Sequence, residues 1–376
     1  MAKPRIVCVV GTRPDTIKMA PVILSLRERT DVETLVVSTG QHREMLDQAL
    51  AAFGLSADED LAVMQHGQTL ADVTSRVVSG LDKVLADREP NYVIAQGDTT
   101  TTFCASLGAF YRRIPFGHVE AGLRTDQIDN PFPEEFNRRA SGLISTHHFA
   151  PTEWAAQNLR NEGKDEPSIF VTGNTGIDAV KAIAQREEQD WYLDSDRRIV
   201  LLTTHRRENW GEAQQQIARA ALRIVEQFPD TQLVVPMHRN PQVRETLNSI
   251  LGGKDRVDLI EPPDYGKFAK LLERSYLVLT DSGGVQEEAP TFGKPILVLR
   301  ETTERPEGVE RGTAKLIGTD ERRIFDEASL LLSDPAEYAR MASAQSPYGD
   351  GKAAERIRMV VFRSLGISHE DVPMWM

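Results

Sequence analysis

The segment Thr280–Gly293, TDSGGVQEEAPTFG, has the residue types of an anion-binding turn between a strand and a helix. Gly283 and Gly284 would let backbone N–H groups approach a ligand closely, and the first turn of a helix stabilises phosphate oxygens through its N–H groups and its dipole. Glu288, farther along that helix, would reach the hydroxyls of a ribose joined to such a phosphate. The same residues also suit an ordinary helix capped by Ser282, so other segments must decide between the two interpretations.

Short β-branched runs alternate with longer helical patterns along the chain, which is typical of βαβ units. A first series of runs occupies residues 5–11, 33–40, 91–98, 115–120, 146–151 and 168–174. A second series occupies residues 198–205, 231–238, 257–263, 275–283, 294–301 and 314–318. The alternation predicts an α/β protein with two doubly wound parallel sheets, each with helices on both faces. A final helix is expected from about Lys352 to Leu365.

In sheets of this kind ligands lie beyond the carboxyl ends of the strands, so the residues that follow the runs belong together. Nine segments near these ends carry side chains or turns capable of chemistry: Arg13 with Lys18, Gln41, Asp98, Glu120, Glu134, His205 with Arg206, His238, Ser282 with the two glycines, and Arg305. A single aspartate after a strand is more often a helix cap than a catalyst. Nine such segments at equivalent positions favour a binding site.

Composition limits the class of ligand and partner. A chain of 376 residues is longer than one core usually supports, so two domains are expected. The net charge of -12 argues against sequence-independent binding to nucleic acid or to anionic membranes, since both need a basic face. The two cysteines, Cys8 and Cys104, lie among apolar neighbours far apart in sequence, which suits reduced buried thiols better than a disulfide or a metal site. No apolar run approaches 18 residues, and we expect a cytoplasmic protein without a metal or a membrane partner.

The blocks that contain these residues resemble one enzyme family over nearly the whole chain. In order, the blocks are GTRPDTIKMAP, QHREMLDQ, QGDTTTTFCASLGAFY, GHVEAGLRT, PFPEEFNRR, VTGNTGIDA, HRREN, DSGGVQEEAP and TTERPEGVERGT. They are similar to those of the non-hydrolysing UDP-N-acetylglucosamine 2-epimerases. The resemblance implies two Rossmann-like domains as in GT-B glycosyltransferases, an active site in the interdomain cleft, and a homodimer.

This resemblance also suggests domain limits. We expect a first Rossmann-like domain over residues 1–173 and a second, UDP-binding domain over residues 174–351. Residues 352–376 would form a C-terminal helix that packs back on the first domain.

The reaction of such a family poses a chemical problem at C2 of the sugar. C1 of a nucleotide sugar is an acetal carbon, so no neighbouring carbonyl accepts the charge when the C2 proton leaves. Oxidation by NAD would solve this, but no G-x-G-x-x-G follows a strand, and we expect no cofactor. Expulsion of UDP as the C2 proton departs would instead form an unsaturated 2-acetamidoglucal, to which UDP adds back after protonation from the opposite face. That route needs a pyrophosphate cradle and acid/base groups on both faces.

The resemblance gives individual residues their expected roles. It implies acid/base work for Asp98, Glu120, Glu134 and His205. It implies that the pyrophosphate of UDP, UDP-GlcNAc or UDP-ManNAc is held by Arg13, Lys18, His205, Arg305 and the N–H groups of the Ser282, Gly283 and Gly284 turn. It places Glu288 on the ribose, Phe268 beside the uracil and Pro263 near the base through its backbone. Phe268 equally suits the core of the helix GKFAKLL, and which carboxylate faces which side of C2 stays open.

A carboxylate has a reference pKa near ~4, so a base that works at neutral pH must be desolvated or lie beside another carboxylate. We expect at least one of the three carboxylates to meet this condition.

Bacterial members of the family are often activated by a second substrate molecule. The resemblance implies that Gln41, Arg206 and His238 would contact it. Glu44 and Gly67 replace a glutamine and an arginine found in some regulated relatives, so we expect a weakened or absent activator site.

Three other functions remain open from the sequence. A hydrolysing relative would release ManNAc and UDP, a GT-B glycosyltransferase would share the phosphate turn and Glu288, and a sugar-nucleotide sensor would bind without catalysis. The matching blocks as a whole favour the epimerase over the hydrolysing relative. The paired Asp98 and Glu120, together with Glu134, favour it over the transferase and the sensor.

Overall fold

The chain forms two compact units, which are here called the first unit and the second unit. The computed structural model describes residues 3–40, 43–65, 67–186, 196–303 and 305–375. The first unit comprises Met1–Ala179 and Tyr348–Met376, and the second comprises Val180–Pro347. The chain thus passes into the second unit after residue 179 and returns to the first after residue 347, whereas the expected domain limits fall after residues 173 and 351.

A parallel sheet of seven strands forms the centre of the first unit, in the order β3-β2-β1-β4-β5-β6-β7. The strands are β1 (Arg5–Val10), β2 (Glu33–Ser38), β3 (Glu59–Asp60), β4 (Tyr92–Gln96), β5 (Phe116–Val119), β6 (His147–Ala150) and β7 (Ile169–Val171). Because helices cover both faces, the middle strands are mostly apolar, and β4 is buried along its whole length.

Helices alternate with these strands. They are α1 (Arg13–Arg27), α2 (Arg43–Ala52), α3 (Leu70–Arg88), α4 (Thr100–Tyr111), α5 (Glu134–Ile144), α6 (Glu153–Asn161) and α7 (Thr175–Arg186). The last of these, α7, begins in the first unit and continues into the second, which starts at Val180. The C-terminal helix α15 (Ala353–Ser364) also belongs to the first unit and packs against α1. Asp178 of α7 accepts hydrogen bonds from the backbone N–H groups of Ala353 (3.3 Å) and Ala354 (2.9 Å), which fixes the start of α15.

The second unit repeats the architecture with six parallel strands in the order β10-β9-β8-β11-β12-β13. The strands are β8 (Arg198–Thr203), β9 (Thr231–Pro236), β10 (Val257–Ile260), β11 (Ser275–Thr280), β12 (Ile296–Val298) and β13 (Ala314–Leu316). The helices are α8 (Glu212–Gln227), α9 (Pro241–Leu251), α10 (Tyr265–Arg274), α11 (Gly283–Glu288), α12 (Pro306–Glu310), α13 (Glu321–Ser333) and α14 (Pro335–Ala342).

Each apolar run identified in the sequence contains one of these strands, so the predicted α/β fold with two parallel sheets is confirmed. One strand was missed. β3 has only two residues, both acidic, and pairs with β2 at the sheet edge, so its sequence lacks an apolar pattern. Within the described ranges, no helix has the length and apolar character that crossing a membrane requires.

The strand order reverses at one point in each sheet. In the first unit β1 lies between β2 and β4, and in the second β8 lies between β9 and β11. The loops that leave two adjacent strands there turn to opposite sides, which opens a crevice at their carboxyl ends. The candidate site residues should therefore be sought after β1 and β4 and after β8 and β11.

Candidate functional site

Strands β8 and β11 of the second unit end at the same level. Thr203 pairs with Thr280 in the parallel register, and their hydroxyl oxygens are 2.6 Å apart. His205 and Asp281 follow these two residues, so the crevice brings both side chains together.

The carboxylate of Asp281 is fully buried and organises the loop after β8. Its Oδ2 accepts hydrogen bonds of 3.0 Å from Thr204 Oγ1, from the backbone N–H groups of His205 and Arg206, and from Asn209 Nδ2. Burial alone would raise the pKa of Asp281, but the hydrogen bonds from His205 and the loop outweigh it and hold the pKa below its usual value. This side chain is a carboxylate at neutral pH, and it fixes the position of the loop.

The imidazole of His205 contacts the same carboxylate of Asp281. Its Nδ1 is 2.9 Å from Asp281 Oδ1, and 39% of the side chain is exposed. Its ring lies 5.9 Å from that of His238, which follows β9. In the part of the chain that the structure describes, Nε2 of His205 has no hydrogen-bond partner, so this nitrogen is available to a ligand.

The turn after β11 leads directly into α11. Ser282 is its N-cap residue, and Gly283 and Gly284 are the first two helical residues, without the positive φ that would demand glycine. A Cβ atom on Gly283 would lie 3.7 Å from a terminal nitrogen of Arg206 and 4.0 Å from one of Arg305. The bare glycine therefore leaves open space between two guanidinium groups and the N–H groups at the start of α11, as an anion site requires.

Arg305 and Glu288 each have a partner in this region. Arg305 forms an ion pair with Glu287, and its backbone N–H donates to Thr303 Oγ1 at 3.1 Å. Glu288, the last residue of α11, accepts a hydrogen bond of 3.1 Å from the hydroxyl of Tyr265.

A cavity of about 250 Å³ lies next to the turn, within the second unit. Among its lining residues are His205, His238, Pro263, Phe268 and Ser282, which the sequence analysis had singled out separately. Phe268 of α10 packs against the edge of the hydrophobic core and also lines this cavity. Its two expected positions, in the core and at a binding site, are therefore compatible. The lining combines apolar residues such as Phe268 with polar ones such as His205 and Ser282, which suits a nucleoside base joined to phosphate.

In the first unit, the turn after β1 is folded around Asp15. Its carboxylate accepts hydrogen bonds from the N–H groups of Gly11 (3.2 Å) and Thr12 (2.7 Å). Burial raises the pKa of Asp15 to about 6. Arg13, the first residue of α1, is exposed and has no hydrogen bond or ion pair to another described residue. Its guanidinium can therefore turn to a ligand.

Glu120 follows β5 and contacts two residues from neighbouring elements. It forms an ion pair with Lys18 of α1 and accepts a hydrogen bond from the amide of Gln96, the last residue of β4. Its φ is +62°, in the left-handed region that non-glycine residues rarely adopt. Lys18 and Glu120, predicted from blocks about 100 residues apart in sequence, thus lie in direct contact.

Asp98 follows β4 and is paired with Arg138 of α5, with a distance of 2.7 Å between Oδ2 and Nη2. Burial raises the pKa of Asp98, Arg138 opposes the shift, and the carboxylates of Glu120 and Glu134 raise it further. The three predicted carboxylates are therefore near enough to interact, and the pKa of Asp98 is shifted upwards, in the direction that a base in this site requires.

Sequence reasoning missed several residues of these clusters: Asp281, Arg138 and Glu287. Gln96 was noted as a strand-end residue but was given no role. Asp281 stands next to a motif that was identified, but only its burial and its donors reveal its role. Arg138 belongs to the quoted block PFPEEFNRR, where a basic residue one helical turn after Glu134 was the available signal. Gln41 lies outside the described residues, and the guanidinium groups of Arg206 and Arg305 both lie near Gly283.

Comparison with known proteins gives close matches over the whole chain. A family model described as UDP-N-acetylglucosamine 2-epimerase matches residues 24–361. A protein of Bacillus subtilis strain 168 named UDP-N-acetylglucosamine 2-epimerase is 51% identical over 359 residues, which cover 95% of this chain and 94% of that protein.

Solved structures agree with this result. One described as UDP-N-acetylglucosamine 2-epimerase has a TM-score of 0.93 and 47% identity, and the match covers 100% of both chains. The enzyme of that description from Neisseria meningitidis, solved bound to UDP-GlcNAc, has a TM-score of 0.82 and 43% identity over 96% of this chain and 100% of its own. A glycosyltransferase of kitacinnamycin with 14% identity and a TM-score of 0.65, over 96% and 99% of the two chains, shares the fold alone. The two units are Rossmann-like and the fold is that of the GT-B class.

Proposed function

Because the chain belongs to the UDP-N-acetylglucosamine 2-epimerase family, we propose that it interconverts UDP-GlcNAc and UDP-ManNAc by inverting C2 of the sugar. The observation that carries the proposal is the pair of clusters at the strand-order reversals. One has cations and helix N–H groups beside a base-sized cavity, and the other has three carboxylates close together. The Neisseria relative bound to UDP-GlcNAc supports the choice of ligand.

We propose that the nucleotide is held mainly by the second unit. The cavity near Pro263 and Phe268 would receive the uracil, and Glu288 would accept hydrogen bonds from the ribose hydroxyls. The pyrophosphate would lie at the turn Ser282–Gly284, against Arg305 and His205. Arg13 and Lys18 of the first unit would supply further positive charge to the same phosphates.

The reaction we propose is elimination followed by re-addition. A base removes the C2 proton while the C1–O bond breaks, and its electron pair leaves on the β-phosphate oxygen of UDP. The product is a C1=C2 double bond in a 2-acetamidoglucal. A proton is then added to C2 from the opposite face as the phosphate oxygen bonds again to C1, so no atom is gained or lost.

Asp98, Glu120 and Glu134 are the groups that can carry these protons. Asp98 has a raised pKa, so a proton taken from carbon is held more firmly there than on an exposed carboxylate. Glu120 is held by Lys18 and Gln96 in one orientation, which suits a group that must meet a single face of the sugar. No cofactor enters this scheme.

Incubation with UDP-GlcNAc in deuterated water tests the proposal. An epimerase incorporates deuterium at C2 and forms UDP-ManNAc without net release of UDP, and isotope placed in the bridging oxygen scrambles during turnover. Accumulation of UDP and ManNAc would indicate a hydrolysing enzyme instead. A C2 position that stays unlabelled would indicate a glycosyltransferase or a sensor and would end the proposal.

We propose that activation by a second substrate molecule is weak or absent in this protein. His238 lies in the nucleotide cavity beside His205, and Arg206 lies at the phosphate turn, so both can serve the substrate itself without a second ligand. Activity measured with UDP-ManNAc alone decides this point. An absolute requirement for added UDP-GlcNAc would contradict it.

We propose a homodimer formed through α4 and α5. These helices pack together and expose large apolar side chains: Phe110 (55%), Tyr111 (66%), Phe136 (48%) and Leu143 (75%). In a dimer with two-fold symmetry, this apolar face of one protomer would pack against the same face of its partner. Replacing Leu143 by Asp should yield monomers in analytical ultracentrifugation, and an unchanged mass would contradict this assignment.

The cytoplasm is the proposed compartment. Cys8 and Cys104 are both buried and neither is in a disulfide, which suits a reducing environment.

A further inference from the structure

We propose that Asp281 is a positioning residue for His205, which it holds with the proton on Nδ1 so that Nε2 faces the phosphate of the ligand. The inference rests on the proposed place of His205 at the pyrophosphate. It adds a residue that acts through His205 and does not itself touch the substrate.

The two oxygens of Asp281 differ in most of their partners. Oδ2 accepts from Thr204, Arg206 and Asn209, and so holds the loop. Oδ1 lies 2.9 Å from Nδ1 of His205, and the backbone N–H of His205 donates to both oxygens, at 3.1 Å to Oδ1 and 3.0 Å to Oδ2. A carboxylate has no proton to donate, so the proton in this contact belongs to Nδ1. In the neutral ring Nε2 is then the acceptor, and it is the nitrogen that gains a proton when the ring becomes a cation.

The surroundings make this arrangement rigid. Asp281 is fully buried, and the residue that follows it is the N-cap of α11, so the carboxylate connects the imidazole directly to the phosphate turn. A buried anion beside the ring stabilises an imidazolium, whose Nε2–H can donate to the phosphate oxygen on which negative charge develops. The second unit thereby supplies a cation of fixed orientation to the leaving group.

Asp281→Asn discriminates this role from simple support of the loop. The donors grouped at Oδ2 require the amide oxygen to occupy that position. The NH₂ group then occupies the position of Oδ1 and donates to Nδ1 of His205. The ring is forced to carry its proton on Nε2 and loses the anion that stabilises its charged form, while its place and its ability to bind a phosphate oxygen are retained.

The first measurement needs no variant. Imidazole nitrogens of ¹⁵N-histidine-labelled protein should show a protonated Nδ1 and an unprotonated Nε2 for His205 at a pH where the ring is neutral, with the signals assigned by their loss in His205→Gln. A proton on Nε2 in the unaltered protein would overturn the inference, whatever the activity. Asp281→Asn, where it folds, should exchange the two signals.

Kinetics give the second measurement. In a Ser-His-Asp triad the corresponding change costs about 10⁴ in kcat, and we expect a loss of at least about 100-fold in C2 exchange here, with the Kd for UDP changed by less than about threefold. Asn209→Ala is the matched control, because it removes a donor to Oδ2 and leaves the contact with His205 in place. It should lower thermal stability but keep kcat within about threefold of the unaltered protein. Equal losses of kcat in both variants, or none in Asp281→Asn, would overturn the inference.

A double variant completes the test. If Asp281 acts through His205, then His205→Gln combined with Asp281→Asn should be no slower than His205→Gln alone, whereas two independent losses would multiply and contradict the proposal. Absence of C2 exchange in the unaltered protein would end the proposed function, and the tautomer measurement would still decide the contact.

Discussion

Asp98→Asn should stop proton exchange at C2 while the nucleotide still binds. The change keeps the shape of the side chain and removes its ability to accept a proton from carbon. A positioned general base contributes about 10²–10⁴ in rate, which corresponds to roughly 2.7–5.4 kcal/mol of activation free energy. We expect the rate of deuterium incorporation into UDP-GlcNAc to fall by that factor.

The same change should also cost stability, because Asp98 is paired with Arg138 at 2.7 Å. Exposed pairs contribute up to about 1 kcal/mol, and breaking a buried pair costs about 3–5 kcal/mol. Here the side chains of Asp98 and Arg138 are 29% and 11% exposed, and Arg138 keeps a second carboxylate, Glu135, at 3.5 Å. Burial raises the pKa of Asp98 in spite of this pair, so the charged carboxylate adds little net stability, and we expect a loss of no more than about 1 kcal/mol in the free energy of unfolding.

Glu162→Gln separates the two effects. Glu162 pairs with Arg124 at 2.7 Å, and their side chains are 27% and 4% exposed, so this pair resembles that of Asp98 in distance and burial. Deuterium incorporation is followed by NMR, UDP binding by calorimetry and unfolding by urea for both variants. Arg124 lowers the pKa of Glu162, so this pair stabilises the fold, and Glu162→Gln should lose at least as much stability as Asp98→Asn while it keeps its exchange rate. Unchanged exchange in Asp98→Asn, or an equal loss in both, would refute the assignment of Asp98 as a base.

Two further predictions concern retention of the nucleotide and dependence on pH. Arg305→Ala should raise the Kd for UDP by at least about tenfold, since a charge-assisted hydrogen bond contributes about 1.5–3 kcal/mol, and it should let 2-acetamidoglucal escape into solution. Titration calorimetry with UDP and analysis of the released sugar check both effects. An unchanged Kd would contradict the prediction. Burial raises the pKa of Asp178 from 3.8 to about 6, so the folded state binds this proton more tightly than the unfolded state does. The difference in free energy of unfolding between the unaltered protein and Asp178→Asn should therefore favour the unaltered protein most below pH 4, and should fall by roughly 2–3 kcal/mol as the pH rises to above 6. Urea titrations of both proteins across that range check it. A difference independent of pH would show that the carboxyl group does not titrate there.

The sheets could be predicted from the sequence because parallel strands buried on both faces leave a strong local pattern. The runs around Val7, Val93 and Val278 are apolar throughout and end in glycine or polar turns, and each became a strand. β3 left no such pattern, because it makes a short edge pairing without a buried side.

The candidate site was predictable as a set of residue types at strand ends, but its internal contacts were not. Nothing local in the sequence links Lys18 to Glu120, or Thr204 to Asp281, because these contacts depend on strand order and register. The two glycines after Ser282 were identified because they would let backbone N–H groups approach a ligand closely. The structure gives them no positive φ, and a Cβ atom on Gly283 would lie at an ordinary contact distance of 3.7 Å from Arg206, so neither the backbone conformation nor a clash demands glycine there.

The left-handed backbone of Glu120 has a consequence for how this chain can change over generations. A side chain with a Cβ atom pays about 1–2 kcal/mol to adopt that conformation, and glycine does not. Under the proposed function, selection for turnover opposes this backbone preference. In a lineage released from the need for the reaction, glycine at position 120 would meet little backbone resistance, and loss of the carboxylate there would mark the lapse of activity while the fold persists.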